Sequence, residues 1–326
     1  MERELASMPA RTINWRSTGD FLSKYGIYFA FVLLAGTLAI WKPSFRGLGN
    51  IENIVQQISV NGILAIGMTL VIITAGIDLS VGSVLALCAV VATSFAKAND
   101  AGQAYHALIV PLAMGVGTGL ACGIVNGVLI AKRRLAPFIV TLGMMTVAKG
   151  LALVYAHGRP EIDLSTAYDA IGDGLAGPGG IVMAVTLAGI FILHFTRFGR
   201  YVYAVGGNEL AAKVSGVNTD RVLIGVYAIA GALAGVAGIV ESSRVMSGSP
   251  SAGEGYELNA IAAVVIGGTS LSGGIGSMAG TIVGVLIIGV MNNGLDLLQV
   301  SSYWQQVVKG AIIVCAVLLD KKSRNG

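Results

Sequence analysis

LAIGMTLVIITAGIDLSVGSVLAL, residues 64–87, decides how the rest of the chain is read. Two apolar arms flank the short segment Gly76-Ile-Asp-Leu-Ser-Val-Gly-Ser83, and Asp78 is the only charge between Glu52 and Lys97. A carboxylate between such arms is costly in hydrocarbon, so it should face protein, water or a helix end. Gly76 and Gly82 free the backbone to leave helical geometry on either side, and Ser80 and Ser83 are placed to cap the second arm. Residues 262–289, AAVVIGGTSLSGGIGSMAGTIVGVLIIG, repeat the form: two apolar arms around a Gly/Ser-rich break. Broken hydrophobic segments at matching places in two halves of a chain point to a pathway through a bilayer.

Composition agrees. Of 326 residues, 55% are apolar and 12% charged, and the mean hydropathy is +0.78. A soluble domain carries about 25% charged residues, so this balance belongs to a membrane-embedded chain. The 46 glycines are read as close helix contacts and not as disorder. A net charge of +4 fits basic anchoring of cytoplasmic loops, with no nucleic-acid partner implied. Cys88, Cys122 and Cys315 lie singly in apolar runs, with neither disulfide nor zinc spacing.

Taken in order, apolar runs fall at about 25–41, 58–74, 81–96, 107–131, 137–156, 181–196, 222–240, 258–266, 275–298 and 303–319. Asn50 or Asn53 is placed to cap the second helix. The expected fold is therefore an all-α polytopic bundle of about ten spans, with both termini cytoplasmic. Its parts are a cytoplasmic tail over 1–24, one membrane domain over 25–320 holding a basic linker at 197–221, and a cytoplasmic tail over 321–326. This orientation puts fourteen Lys/Arg inside and five outside, while Lys149 and Lys309 fall within spans. The opposite orientation violates the positive-inside rule.

No catalytic centre is legible, and no cofactor or metal site is implied. His106, His157 and His194 are scattered, and the dipeptide Gly-Lys never occurs, which excludes a phosphate-binding loop. Nucleotide-driven work would need another polypeptide. Within the linker, residues 206–216 read as a short capped helix. Asn208 is the N-cap, Glu209 complements the positive helix start, Lys213 lies in the last turn, and Gly216 takes a left-handed closing conformation. Leu210, Ala211 and Val214 share a small apolar face that either docks on a partner or lies on the bilayer. Asn61, Asp78, Ser80, Asn126, Asn292, Asn293 and Asp296 are polar positions inside spans. They either join helices by hydrogen bonds or line a passage and its gate. Aromatic residues make up only 7%, which argues against a tight, ring-stacked sugar pocket.

Residues 59–83, 199–208 and 255–274, with Asn292-Asn-Gly-Leu295, Val300-Ser-Ser-Tyr303 and Leu318-Leu-Asp320, resemble the permease subunit of bacterial ribose-type ABC importers. The likeness runs from about residue 45 to 320 and is least over 157–178 and the N-terminal tail. It implies an inner-membrane homodimer, an ATPase subunit on the cytoplasmic side and a periplasmic sugar-binding protein that delivers a monosaccharide. It also implies that the linker is the coupling element, through Gly206, Gly207, Asn208, Glu209, Ala211, Ala212 and Gly216. It puts Asp78 and the turn at 267–276 near the cytoplasmic gate. Broken helices also occur in ion-coupled secondary sugar transporters, the alternative reading.

Overall fold

The computed structural model describes residues 15–99 and 101–325, with the side chains of 15–25, 313, 315–317 and 319–325 outside the description. The chain forms α1 (Trp15–Trp41), a 3-10 turn (Pro43–Arg46), α2 (Leu48–Ile73), α3 (Val81–Phe95), α4 (Ile109–Arg133), α5 (Pro137–Tyr155) and α6 (Thr166–Asp169). There follow α7 (Ala176–Ile190) with a π turn (Phe191–Phe195), α8 (Arg197–Gly207), α9 (Glu209–Val214), α10 (Thr219–Arg244), α11 (Tyr256–Ile266), α12 (Met278–Leu297) and α13 (Ser302–Asn325). Among the described residues, strand pairing is limited to three isolated bridges. Six helices there are long and apolar enough to cross a membrane: α2, α4, α5, α7 with its π turn, α10 and α12. Shorter apolar helices run over Gly26–Trp41, Val81–Phe95 and Tyr256–Ile266.

The axis of the bundle is α2. Its most apolar window is 89% buried, against 22% for α5 and 17% for α7, which turn most of their surface outward. A helix apolar on every face is stable only when neighbours surround it. Around α2 lie α10, α12, α11 and α7. The α4–α10 contact explains much of the glycine content. A Cβ on Gly119 would meet the Gly231 carbonyl, one on Gly123 the Tyr227 carbonyl, and one on Gly127 the Ile224 Cα. Small residues at every fourth position let two backbones touch, which supplies packing where lipid gives no hydrophobic drive.

Connections segregate to two ends. At one end Lys97 bridges Leu164 and Glu161 bridges Gly248, and Lys97 Nζ lies 2.6 Å from Glu161 Oε2. At the other end Arg134 reaches Glu209 and Asp220. The shorter α3 and α11 begin inside the bundle. A Cβ on Gly82, in the first turn of α3, would meet Glu257 Oε2 from the first turn of α11 and the Gly253 carbonyl.

Several local expectations are corrected. The left-handed residue in the first break is Ala75 (φ +60°); Gly76 and Gly82 are needed for close approach instead, Gly76 to the Tyr227 hydroxyl. Ser80 occupies the N-cap position of α3 without capping, because its hydroxyl donates to Asp78 Oδ1. Neither Asn50 nor Asn53 caps α2, which starts at Leu48 behind Gly47. The linker carries α8 in addition to the expected capped helix, which is α9. Helix α1 runs through the last part of the expected tail 1–24, whose first fourteen residues lie outside the described ones, and α13 runs into the expected tail 321–326. Cys88 and Cys122 are free thiols, one buried and one half-buried; the Cys315 side chain lies outside the described residues.

Candidate functional site

The linker is built from caps. Thr196 accepts from the Gly199 amide and opens α8. Asn208 Oδ1 accepts from the Ala211 amide at 2.9 Å and opens α9. Gly216 closes α9 with φ +86°. These bonds satisfy amide groups that a helix start leaves without partners.

Helix α8 then touches both broken segments. A Cβ on Gly206 would collide with the Ile73 carbonyl at the end of α2 and with the Gly274 amide. Those two groups are themselves joined, Gly274 N–H donating to Ile73 O at 2.9 Å. Tyr203 O–H donates to Gly276 O at 2.7 Å. Burial pushes the Tyr203 hydroxyl above its ordinary value, so it stays a donor. Gly207 has open space where a Cβ would stand. The end of α2, the loop between α11 and α12, and α8 thus meet at one junction.

Helix α9 projects from that junction. Ala212 is 6% exposed and joins the core, so of the expected docking residues it is turned away from any partner. Leu210 and Val214 are 73% and 83% exposed, one helical turn apart. Glu209 and Asp220 both accept from Arg134, at 2.5 and 3.0 Å. Arg134 itself sits in the left-handed region (φ +55°), just past α4. With all three side chains 40–48% exposed, the bridges fix the position of α9 more than they stabilise the fold.

The expected gate residues divide into separate places. Asp78 is 2% exposed and accepts from both the Ser80 amide and the Ser80 hydroxyl, at 2.8 and 2.6 Å. Asn126 Nδ2 donates in turn to Ser80 Oγ at 3.1 Å. The Asn126 carboxamide oxygen and the Tyr227 hydroxyl, both at this break, have no partner among the described residues. Asn61 donates to its own helix at Gln57 O, and its buried Oδ1, like that of Asn292, has no partner among the described residues. Asn293 exchanges two hydrogen bonds with Asn50, at 3.0 and 2.8 Å, and joins α12 to α2. Asp296 accepts from Gln305 at 2.7 Å. A cavity of about 350 Å³ adjoins Asn50, Asn293, Asp296 and Arg244. Asp78 and Ser80 therefore belong to one cluster, and Asn293 and Asp296 to another.

Sequence reading missed Arg134 and Tyr203. Arg134 appears there as one of three consecutive basic residues, a loop anchor. Only its position beside two carboxylates distinguishes it from Lys132 and Arg133.

The chain is 44% identical to the ribose import permease protein RbsC of Escherichia coli (strain K12), over 97% of this chain and 100% of that one. It is 48% identical to the ribose import permease protein RbsC of Bacillus subtilis (strain 168), over 92% and 94%. With the galactose/methyl galactoside import permease protein MglC of E. coli (strain K12) it shares 36% identity over 94% and 97%. No solved structure matches the chain. The model of the family described as "Branched-chain amino acid transport system / permease component" matches residues 50–317, and the chain belongs to that family.

Proposed function

We propose that the chain is the membrane-spanning subunit of an ABC importer that carries a monosaccharide, ribose first among candidates, across the bacterial inner membrane. The observation that carries this reading is identity of 44–48%, across more than nine-tenths of the chain, with proteins named as ribose import permeases. The proposed topology has ten crossings, α1, α2, α3, α4, α5, α7, α10, α11, α12 and α13, with both termini cytoplasmic. Fourteen Lys/Arg against five support that orientation. The working unit is a homodimer, served by a periplasmic sugar-binding protein and driven by an ATPase on the face that carries α8 and α9.

In this mechanism Leu210 and Val214 enter a groove on the ATPase. Closure of the ATPase around nucleotide moves α9, and α8 passes the displacement on through Gly206 and Tyr203. The end of α2 and the 267–277 loop shift together, because one hydrogen bond ties them. Asp78 and Ser80, just beyond the end of α2, form the adjoining gate. Asn61, Asn292, Asn293 and Asp296 serve the helix joints of the outer passage.

The docking step is tested with Leu210→Asp and Val214→Asp. Each removes an exposed apolar anchor and should weaken ATPase association about tenfold or more, the size of an interface hot spot. Co-purification from membranes and the yield of folded permease are measured together. Unchanged association in both variants contradicts the docking assignment.

A further inference from the structure

A cavity of about 370 Å³ opens on the flank of the bundle between α3, α5 and the start of α11. Ser83, Thr146, Lys149, Ser251, Glu254 and Glu257 supply its polar lining, and among the described residues no aromatic ring lines it. Lys149 is twelve residues from the start of α5 and six from its end, so the cavity lies roughly 18 Å from one end of that helix and roughly 9 Å from the other. Lys149 Nζ is 3.4 Å from Glu254 Oε1, and both side chains are at least half exposed in the single chain.

Charges at that depth do not face lipid. A charged side chain at the centre of a span costs roughly 2.5–3.5 kcal/mol on insertion scales. The cavity therefore faces water or a second copy. It also lies where the two interrupted helices begin, since the missing Cβ of Gly82 makes room for Glu257 Oε2 and the Gly253 carbonyl. Such inward-starting helices leave amide donors and positive dipole ends within the bilayer.

We infer that this cavity is the resting place of an uncharged, polyhydroxylated solute on its way through the membrane, an inference that rests on the importer reading. The Thr146, Ser83 and Ser251 hydroxyls both donate and accept. The Glu257 and Glu254 carboxylates accept from solute hydroxyls, and the Lys149 ammonium donates. Two carboxylates against one ammonium turn anions away. The volume falls in the range of small-molecule sites, roughly 300–1,000 Å³. Without a ring to stack on a sugar face, the hold is weak, which suits a station that must release its cargo.

The test uses the complete importer in proteoliposomes, with ATPase, binding protein and labelled ribose. Thr146→Trp fills the cavity, and Met183→Trp, on the exposed face of α7, is the matched control. Uptake should fall roughly tenfold or more in Thr146→Trp, with ATP hydrolysis and complex assembly at the level of the control. Should that variant not assemble, Ser251→Cys is alkylated with a bulky, membrane-impermeant thiol reagent after reconstitution, with unsubstituted complex treated alike. Uptake should then fall with the extent of modification. Unchanged uptake in an assembled, filled or fully modified complex overturns the cavity and leaves the importer reading standing. An unsubstituted complex with no ATP-dependent ribose uptake overturns the importer reading on which it rests.

Discussion

At the scale of single residues, adjacent glycines in the linker have different tasks. Gly206 admits the Ile73 carbonyl and the Gly274 amide, and Gly207 faces open space. Gly206→Ala should therefore cost about 1–3 kcal/mol, the usual penalty of an overpacked contact. Gly207→Ala should be neutral or stabilising by roughly 0.5–1 kcal/mol, because alanine is the better helix former. Thermal unfolding of the two purified variants in detergent measures the difference, and equal melting temperatures contradict the junction. Asp78 makes a second residue-scale prediction. Asp78→Asn keeps an oxygen where the Ser80 amide and hydroxyl donate and should fold normally. Asp78→Ala leaves those donors buried without a partner, at a cost of about 1–3 kcal/mol. The same melts decide it. Asn208 and Gly216 were legible in sequence because capping depends on neighbours a few residues away. The close approach at Gly206 and the bridges of Arg134 were not, because their tasks come from groups more than sixty residues distant.

At the scale of elements, apolar length located the helices, since a spanning segment must satisfy its own backbone and bury its own apolar face. The first break was legible in place but not in form. Glycine was expected to turn the chain, yet Ala75 turns it and the glycines admit neighbours. Which helix would be central was also hidden, because α2 and α5 are about equally apolar in sequence. Contacts alone separate them. The element-scale prediction concerns α9. Arg134→Ala removes both bridges to Glu209 and Asp220, and as exposed pairs they contribute at most about 1 kcal/mol each to folding. Folding should survive, while binding-protein-stimulated ATP hydrolysis and uptake lose their coupling. A variant with wild-type uptake per ATP hydrolysed contradicts a positioning role for Arg134.

At the scale of the whole molecule, the described chain is a bundle around one buried helix, with a junction at one end joining α8 to both interrupted segments. Outward-facing apolar surface on α5 and α7, the single charge of Lys149 within α5 and two bare apolar residues on α9 are the features on which the proposed partners, lipid, a second copy and a cytoplasmic ATPase, rest. The sequence could exclude a nucleotide-binding loop from the chain; it could not say which face of α9 stays exposed. The central claim is that this polypeptide is a conduit worked by another protein. Ribose accumulation in sealed proteoliposomes tests it most directly, comparing the permease alone under sodium or proton gradients with the permease plus its ATPase, binding protein and ATP. The account predicts accumulation only in the complete, ATP-fed system; accumulation by the permease alone under an ion gradient would contradict it.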